Sequence, residues 1–136
     1  MDNCLFCKIV NRELPSNVIY EDEHSLSFLD IAPANKGHAL VVSKNHFTNI
    51  LDIEQSELSQ LMVAVQNVSK AVQKATKADG INLIQSSNSA AGQVVFHIHF
   101  HVIPRYLNDG FKLQWPHKKY EHNESIDFAE NIKKFF

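Results

Sequence analysis

Apolar residues fall along the chain in blocks of two different periods, and the blocks predict an order of elements. Between Cys4 and Asn11, the residues Leu5, Phe6, Ile9 and Val10 recur at helical spacing, and Leu14-Pro15 closes the run, so a short helix is expected. Val18-Ile19-Tyr20, and then Leu26 and Phe28 alternating with Ser25, Ser27 and Leu29, predict two strands paired as a hairpin around the polar turn Glu21-Asp22-Glu23-His24. After a loop holding Pro33 and Gly37, His38-Ala39-Leu40-Val41-Val42 predicts a third strand leading into Lys44-Asn45-His46.

The longest signal runs from Asp52 to Ala78. Leu58, Leu61, Met62, Val65, Val68 and Val72 repeat every three or four residues and mark the core face of a long helix. Asp52 with Gln55 is a capping pair for its start, and Asp79-Gly80 supplies a glycine for its end. A fourth strand begins at Ile81-Asn82-Leu83-Ile84, a loop runs from Ser86 to Gly92, and a fifth strand is expected from Gln93 to Ile103, ended by Pro104. The tail holds Trp115-Pro116 and a short helix in which Ile126, Ala129 and Ile132 share a face. The sum is an α+β fold, a mostly antiparallel sheet of about five strands with one long helix on a face.

Composition narrows the class. A chain of 136 residues with 44% hydrophobic positions and few prolines and glycines is expected to form a single soluble domain spanning residues 1–136. A net charge of -2 gives no basic excess for polymeric nucleic acid or an anionic membrane. The N-terminus lacks the pattern of a secretory signal and no stretch is long enough to span a bilayer, so the cytoplasm is the expected compartment. The two cysteines, Cys4 and Cys7, read there as a metal half-site or a redox pair.

Chemistry concentrates in His97-Ile98-His99-Phe100-His101. Strand alternation would point all three imidazoles one way and leave Val94, Phe96, Ile98, Phe100 and Val102 on a core face. Polar strand faces usually carry Thr, Lys, Glu and Ser, so three successive imidazoles call for a function. At a strand rise of about 3.3 Å per residue, His97 and His101 stem from points ~13 Å apart, too far for one ion to hold all three; His97 and His99 could share one. A row of imidazoles suits phosphoryl chemistry, since a neutral imidazole is a nucleophile and its neighbours stabilise or protonate oxygens.

The segment Gly92-Gln93-Val94-Val95-Phe96-His97-Ile98-His99-Phe100-His101-Val102-Ile103 resembles the signature of the histidine triad family of nucleotide hydrolases and transferases. Cys4-Leu5-Phe6-Cys7-Lys8-Ile9, Phe28-Leu29-Asp30-Ile31-Ala32-Pro33, Gly37-His38-Ala39-Leu40-Val41-Val42 and Lys44-Asn45-His46 match it in order, closest to the branch that hydrolyses purine nucleoside phosphoramidates. The resemblance implies that His99 attacks the α-phosphorus, that His101 contacts phosphate and leaving-group oxygens, and that His38 stands behind the triad. It implies a ribose contact for Asp30, a base wall of Phe6, Ile9, Phe28 and Ile31, and phosphate contacts from Ser86, Gly92, Gln93 and Val94. It further implies a structural zinc on Cys4, Cys7, His46 and His97, and a twofold homodimer with Trp115-Pro116 near a partner's site. Two positions depart from the family pattern: Val94 stands where a Ser or Thr donor is usual, and Ser86 where an asparagine is usual. Other readings are a dinucleoside polyphosphate hydrolase, a nucleotide-binding interaction module with low turnover, and a metalloenzyme with His97 and His99 on a catalytic ion.

Overall fold

The computed structural model describes residues 3–136. Helix α1 (Leu5–Val10) opens on Cys4, whose Sγ accepts the Cys7 amide at 3.4 Å, the hydrogen bond a first-turn amide needs. Strands β1 (Val18–Glu21) and β2 (Ser25–Leu29) form the expected hairpin, held at its turn by the Asp22 carboxylate, which accepts from the His24 and Ser25 amides. Strand β3 (Ala39–Ser43) follows through a loop in which Gly37 takes a φ of +97°, and a Cβ there would lie 2.7 Å from Thr76 Cγ2. Helix α2 (Gln55–Thr76), strand β4 (Gly80–Ile84), a 3₁₀ turn (Ser89–Ala91), strand β5 (His99–Arg105) and helix α3 (Glu124–Lys133) complete the order.

The sheet is antiparallel throughout, in the order β1-β2-β3-β5-β4. One face receives α2, where Leu61, Ala64, Val65, Val68 and Val72 bury against Ala39, Val41, Ile98 and Val102. On the opposite face, Phe6 and Ile9 of α1 pack with Leu26, Phe28, Leu40 and Val42. The β3–β5 register sets His99 opposite Val42 and His101 opposite Leu40, so both imidazoles share this second face with α1.

Several expectations are corrected. Helix α2 starts three residues after Asp52, because the Asp52 carboxylate already accepts the Thr48 and Asn49 amides and so closes the preceding turn. Its end comes at Thr76, with Lys77 in the left-handed conformation, and Gly80 opens β4 instead of capping the helix. Met62, expected on the core face, is 37% exposed. The fifth strand begins at His99, not Gln93, and runs through Pro104 to Arg105. Pro104 is tolerated because β3 pairs with β5 only as far as Val102, so beyond it one side of the strand needs no ladder donor. Residues 93–98 stay outside the ladder, and the alternation read across them fails: Val94 is 84% exposed and Phe96 is 46% exposed. Among the described residues no helix is long and apolar enough to cross a membrane.

Candidate functional site

The irregular approach to β5 is held by one buried side chain. Gln93 accepts the Asn88 amide at 2.7 Å through Oε1 and donates through Nε2 to the carbonyls of Thr48 and Val95, so the loop before the histidines is clamped from inside. The Gln93 amide group is therefore spent on the loop. Asn49, buried beside it, donates to Gln93 Oε1 and Asn88 Oδ1.

Leaving the ladder lets His97 turn away from its neighbours. Its ring is fully buried, Nε2 donates to the Ser43 carbonyl at 2.7 Å, and Nδ1 lies 3.4 Å from Cys4 Sγ, 3.5 Å from Cys7 Sγ and 3.2 Å from His46 Nδ1. Cys7 Sγ is 3.3 Å from His46 Nδ1. In a tetrahedral site with metal–N near 2.0 Å and metal–S near 2.3 Å, ligand atoms stand about 3.3 Å (N···N) to about 3.8 Å (S···S) apart. These four separations match edges of such a tetrahedron, and all four atoms lie within 4.8 Å of one another; the Ser43 carbonyl orients His97 from behind, as a metal-bound imidazole requires. Burial, with Cys4 alongside, pushes the Cys7 thiol up to about 11, a direction that a cation between the four atoms would reverse. Cys4, Cys7, His46 and His97 form a cluster of metal-binding geometry.

His99 is nine-tenths buried and donates from Nδ1 to the His97 carbonyl at 2.7 Å. That bond leaves Nε2 with its lone pair free. The Phe6 ring meets His99 edge-on at 5.0 Å, and His101 stands 5.1 Å away on the other side. Burial holds His99 below the ordinary imidazole range. Burial, aided by His99 and His38, pushes His101 down to about 4. Behind His101, His38 Nε2 approaches its Nδ1 at 2.9 Å, while His38 Nδ1 accepts the Ala34 amide at 3.0 Å. Asp30 Oδ2 lies 3.6 Å from His38 Nε2, and its Oδ1 accepts the Ala32 amide.

A cavity of about 480 Å³ opens over these groups, large enough for one nucleotide. Of the expected site residues it is lined by Phe6, Ile9, Phe28, Asp30, Ile31, Gly92, Val94, His99 and His101. Ser86 and Gln93 do not reach it, and His38 stands behind His101. The cavity also takes in Leu14, Pro15 and Ser16 from the α1–β1 connection, where Leu14-Pro15 signalled only the end of a helix, and Leu40, which strand alternation from His38 could have identified. Trp115 lies exposed in the C-terminal segment.

Fold and site together put the chain among the α+β hydrolases. The HIT domain family model matches residues 11–108. A HIT-like protein of Methanocaldococcus jannaschii is 42% identical over 130 residues, covering 96% of each chain. An adenosine 5'-monophosphoramidase of Saccharomyces cerevisiae is 40% identical over 114 residues, 83% of this chain and 70% of that one. A crystal structure from Streptococcus mutans superposes with a TM-score of 0.94 at 43% identity, over 98% of this chain and 85% of the other. The chain belongs to the HIT domain family.

Proposed function

We propose that the chain is a nucleotidyl hydrolase, moving the nucleotidyl group of a purine nucleoside 5'-phosphate derivative first to His99 and then to water. The observation that carries this reading is the bond from His99 Nδ1 to the His97 carbonyl, which sets the tautomer whose free Nε2 is the nucleophile. In the first step a bond forms from Nε2 to phosphorus, the bond from phosphorus to the leaving group breaks, and its electron pair goes with the leaving group. In the second, water attacks phosphorus, the N–P bond breaks back to neutral imidazole, and the water's proton passes to solvent. His101 donates to phosphate oxygens and Asp30 accepts from the ribose hydroxyls. Phe6, Ile9, Phe28 and Ile31 wall the base. The name of the yeast relative supports an adenosine 5'-phosphate derivative, the phosphoramidates included.

Cys4, Cys7, His46 and His97 would hold a zinc ion as its protein ligands, and the ion would tie α1 to the sheet. Residues 1–136 act as one domain of a homodimer in the cytoplasm, a compartment that suits two free thiols. The test is mass spectrometry of protein quenched during turnover of an adenosine phosphoramidate: a nucleotidyl group on the peptide containing His99 is expected. Direct attack by 18-oxygen water with no protein-bound intermediate overturns the reading.

A further inference from the structure

A neutral imidazole carries one hydrogen, so a ring nitrogen that accepts a hydrogen bond fixes that hydrogen on the other. The Ala34 amide can only donate, and it donates to His38 Nδ1, so His38 carries its hydrogen on Nε2. His38 Nε2–H in turn donates to His101 Nδ1, which leaves His101 with its hydrogen on Nε2. One backbone amide thus decides that His101 meets a phosphate oxygen as a donor. Were that amide to withdraw, His38 would be free to carry its hydrogen on Nδ1 and to accept from His101 Nδ1–H. His101 Nε2 would then turn a lone pair, not a hydrogen, to the phosphate.

Ala34 is exposed, so water competes for its amide unless the backbone is held in place. The loop is closed at its base, where the Asp30 amide donates to the His38 carbonyl at 2.9 Å. It turns through residues 35–38, where the His38 amide donates to the Asn35 carbonyl at 3.0 Å and Gly37 supplies the positive φ. These bonds shape the loop but do not join its tip to the sheet. The Asn35 side chain does: Nδ2 donates to the Pro104 carbonyl on β5 at 2.8 Å and to Asp109 Oδ2 at 2.9 Å. Both partners can only accept, so the orientation of the Asn35 amide group is fixed.

The Asp109 side chain is only 7% exposed and has a full set of donors. Arg105 gives it Nε at 2.8 Å and Nη2 at 3.0 Å, and the Tyr106 and Phe111 amides reach it at 3.0 Å. Arg105 is itself held by Asn82 Oδ1 on β4 at 2.6 Å and by the Phe111 ring, 4.3 Å from its guanidinium carbon. Neither Asn35 nor Asp109 lines the cavity.

We propose that Asn35 and Asp109 are positioning residues: by pinning the Ala34 backbone to the end of β5, they hold His101 in the tautomer that donates to phosphate. The use made of that tautomer rests on the nucleotidyl-transfer reading above; the tautomer itself does not.

Nitrogen-15 spectra of the wild type are expected to show His38 and His101 both as Nε2–H tautomers, and those of Asn35→Ala to show a second population with the hydrogens on Nδ1. In single turnovers with an adenosine phosphoramidate, Asn35→Ala is expected to slow adduct formation by about tenfold, but by less than about twofold when His101 is already alanine. A residue that acts only through His101 has nothing left to act on there, whereas general damage to the fold would slow both backgrounds alike. Asp109→Ala removes the other half of the pin and is expected to give the same pair of results. His101 with its hydrogen on Nδ1 in the wild type, spectra unchanged in Asn35→Ala, or equal slowing with and without His101 overturns the inference while leaving nucleotidyl transfer intact. No adduct in the wild type overturns nucleotidyl transfer, and the two sets of spectra then decide the tautomer inference by themselves.

Discussion

His99 and His101 differ, at the scale of the residue, in which ring nitrogen is already engaged. His99 has its Nδ1 hydrogen committed to the His97 carbonyl, whereas His101 has its Nδ1 lone pair committed to His38. One offers a lone pair and the other a hydrogen. His99→Ala is therefore expected to abolish the nucleotidyl adduct and lower kcat by ~10⁴ or more, and His101→Ala to slow adduct formation by ~10² to 10³ while leaving it detectable. Single-turnover rates separate the two ranges. Burial also sets a pH dependence: His101 titrates near 4 in the folded chain against about 6.5 when unfolded, and His38 and His99 shift the same way. Between those values the unfolded chain binds more protons, so stability rises with pH there; it is fully present above about 6.5 and lost as pH falls toward 4. Urea midpoints at pH 7.5, 5.5 and 4.5 should fall in that order, and constant midpoints would refute the linkage. The histidines and cysteines were legible because their side chains are rare in such patterns. The Ala34 amide and the internal clamp of Gln93 were not, because backbone donors and loop hydrogen bonds leave no trace in residue type.

Elements were legible wherever a regular period continued, as in α2 and the β1–β2 hairpin, and misread where the ladder stopped. Alternation across Gln93 to Ile103 looks uniform, yet only His99 to Arg105 pairs; the break releases His97 to join Cys4, Cys7 and His46. That junction gives the short helix α1 an anchor its six residues could not supply alone. Zinc is expected at about one per chain, and Cys4→Ser or His46→Ala should remove it and lower Tm. Activity near 4 °C should persist in part, because no ligand position is left open for catalysis, and a chelator should act slowly, through loss of α1. Elemental analysis showing unchanged metal in Cys4→Ser would refute the ligand set, and immediate loss of turnover with chelator would favour a catalytic ion.

Considered as a whole molecule, the chain leaves apolar surface without cover. Both edge strands, β1 and β4, are open, and α3 has no buried residue, with Ile126, Phe128 and Ile132 all exposed together with Trp115 and Phe136. Isolated exposed apolar residues are ordinary, whereas this many on one C-terminal segment suit the homodimer proposed above. For the proposed homodimer, scattering-detected chromatography should give twice the 15.5 kDa chain mass. Trp115 is the only tryptophan, so its emission reports on this segment alone. If the segment lies near the partner's cavity, AMP should change that emission in the dimer. Dilution to monomer should abolish the response while AMP binding itself remains measurable. The cavity of one subunit is lined without any residue beyond His101, so a response that survives in the monomer could not arise from a neighbouring chain. Such a result would place Trp115 against its own subunit. A monomer at all concentrations would remove the dimer altogether, leaving the exposed face of α3 to a different protein.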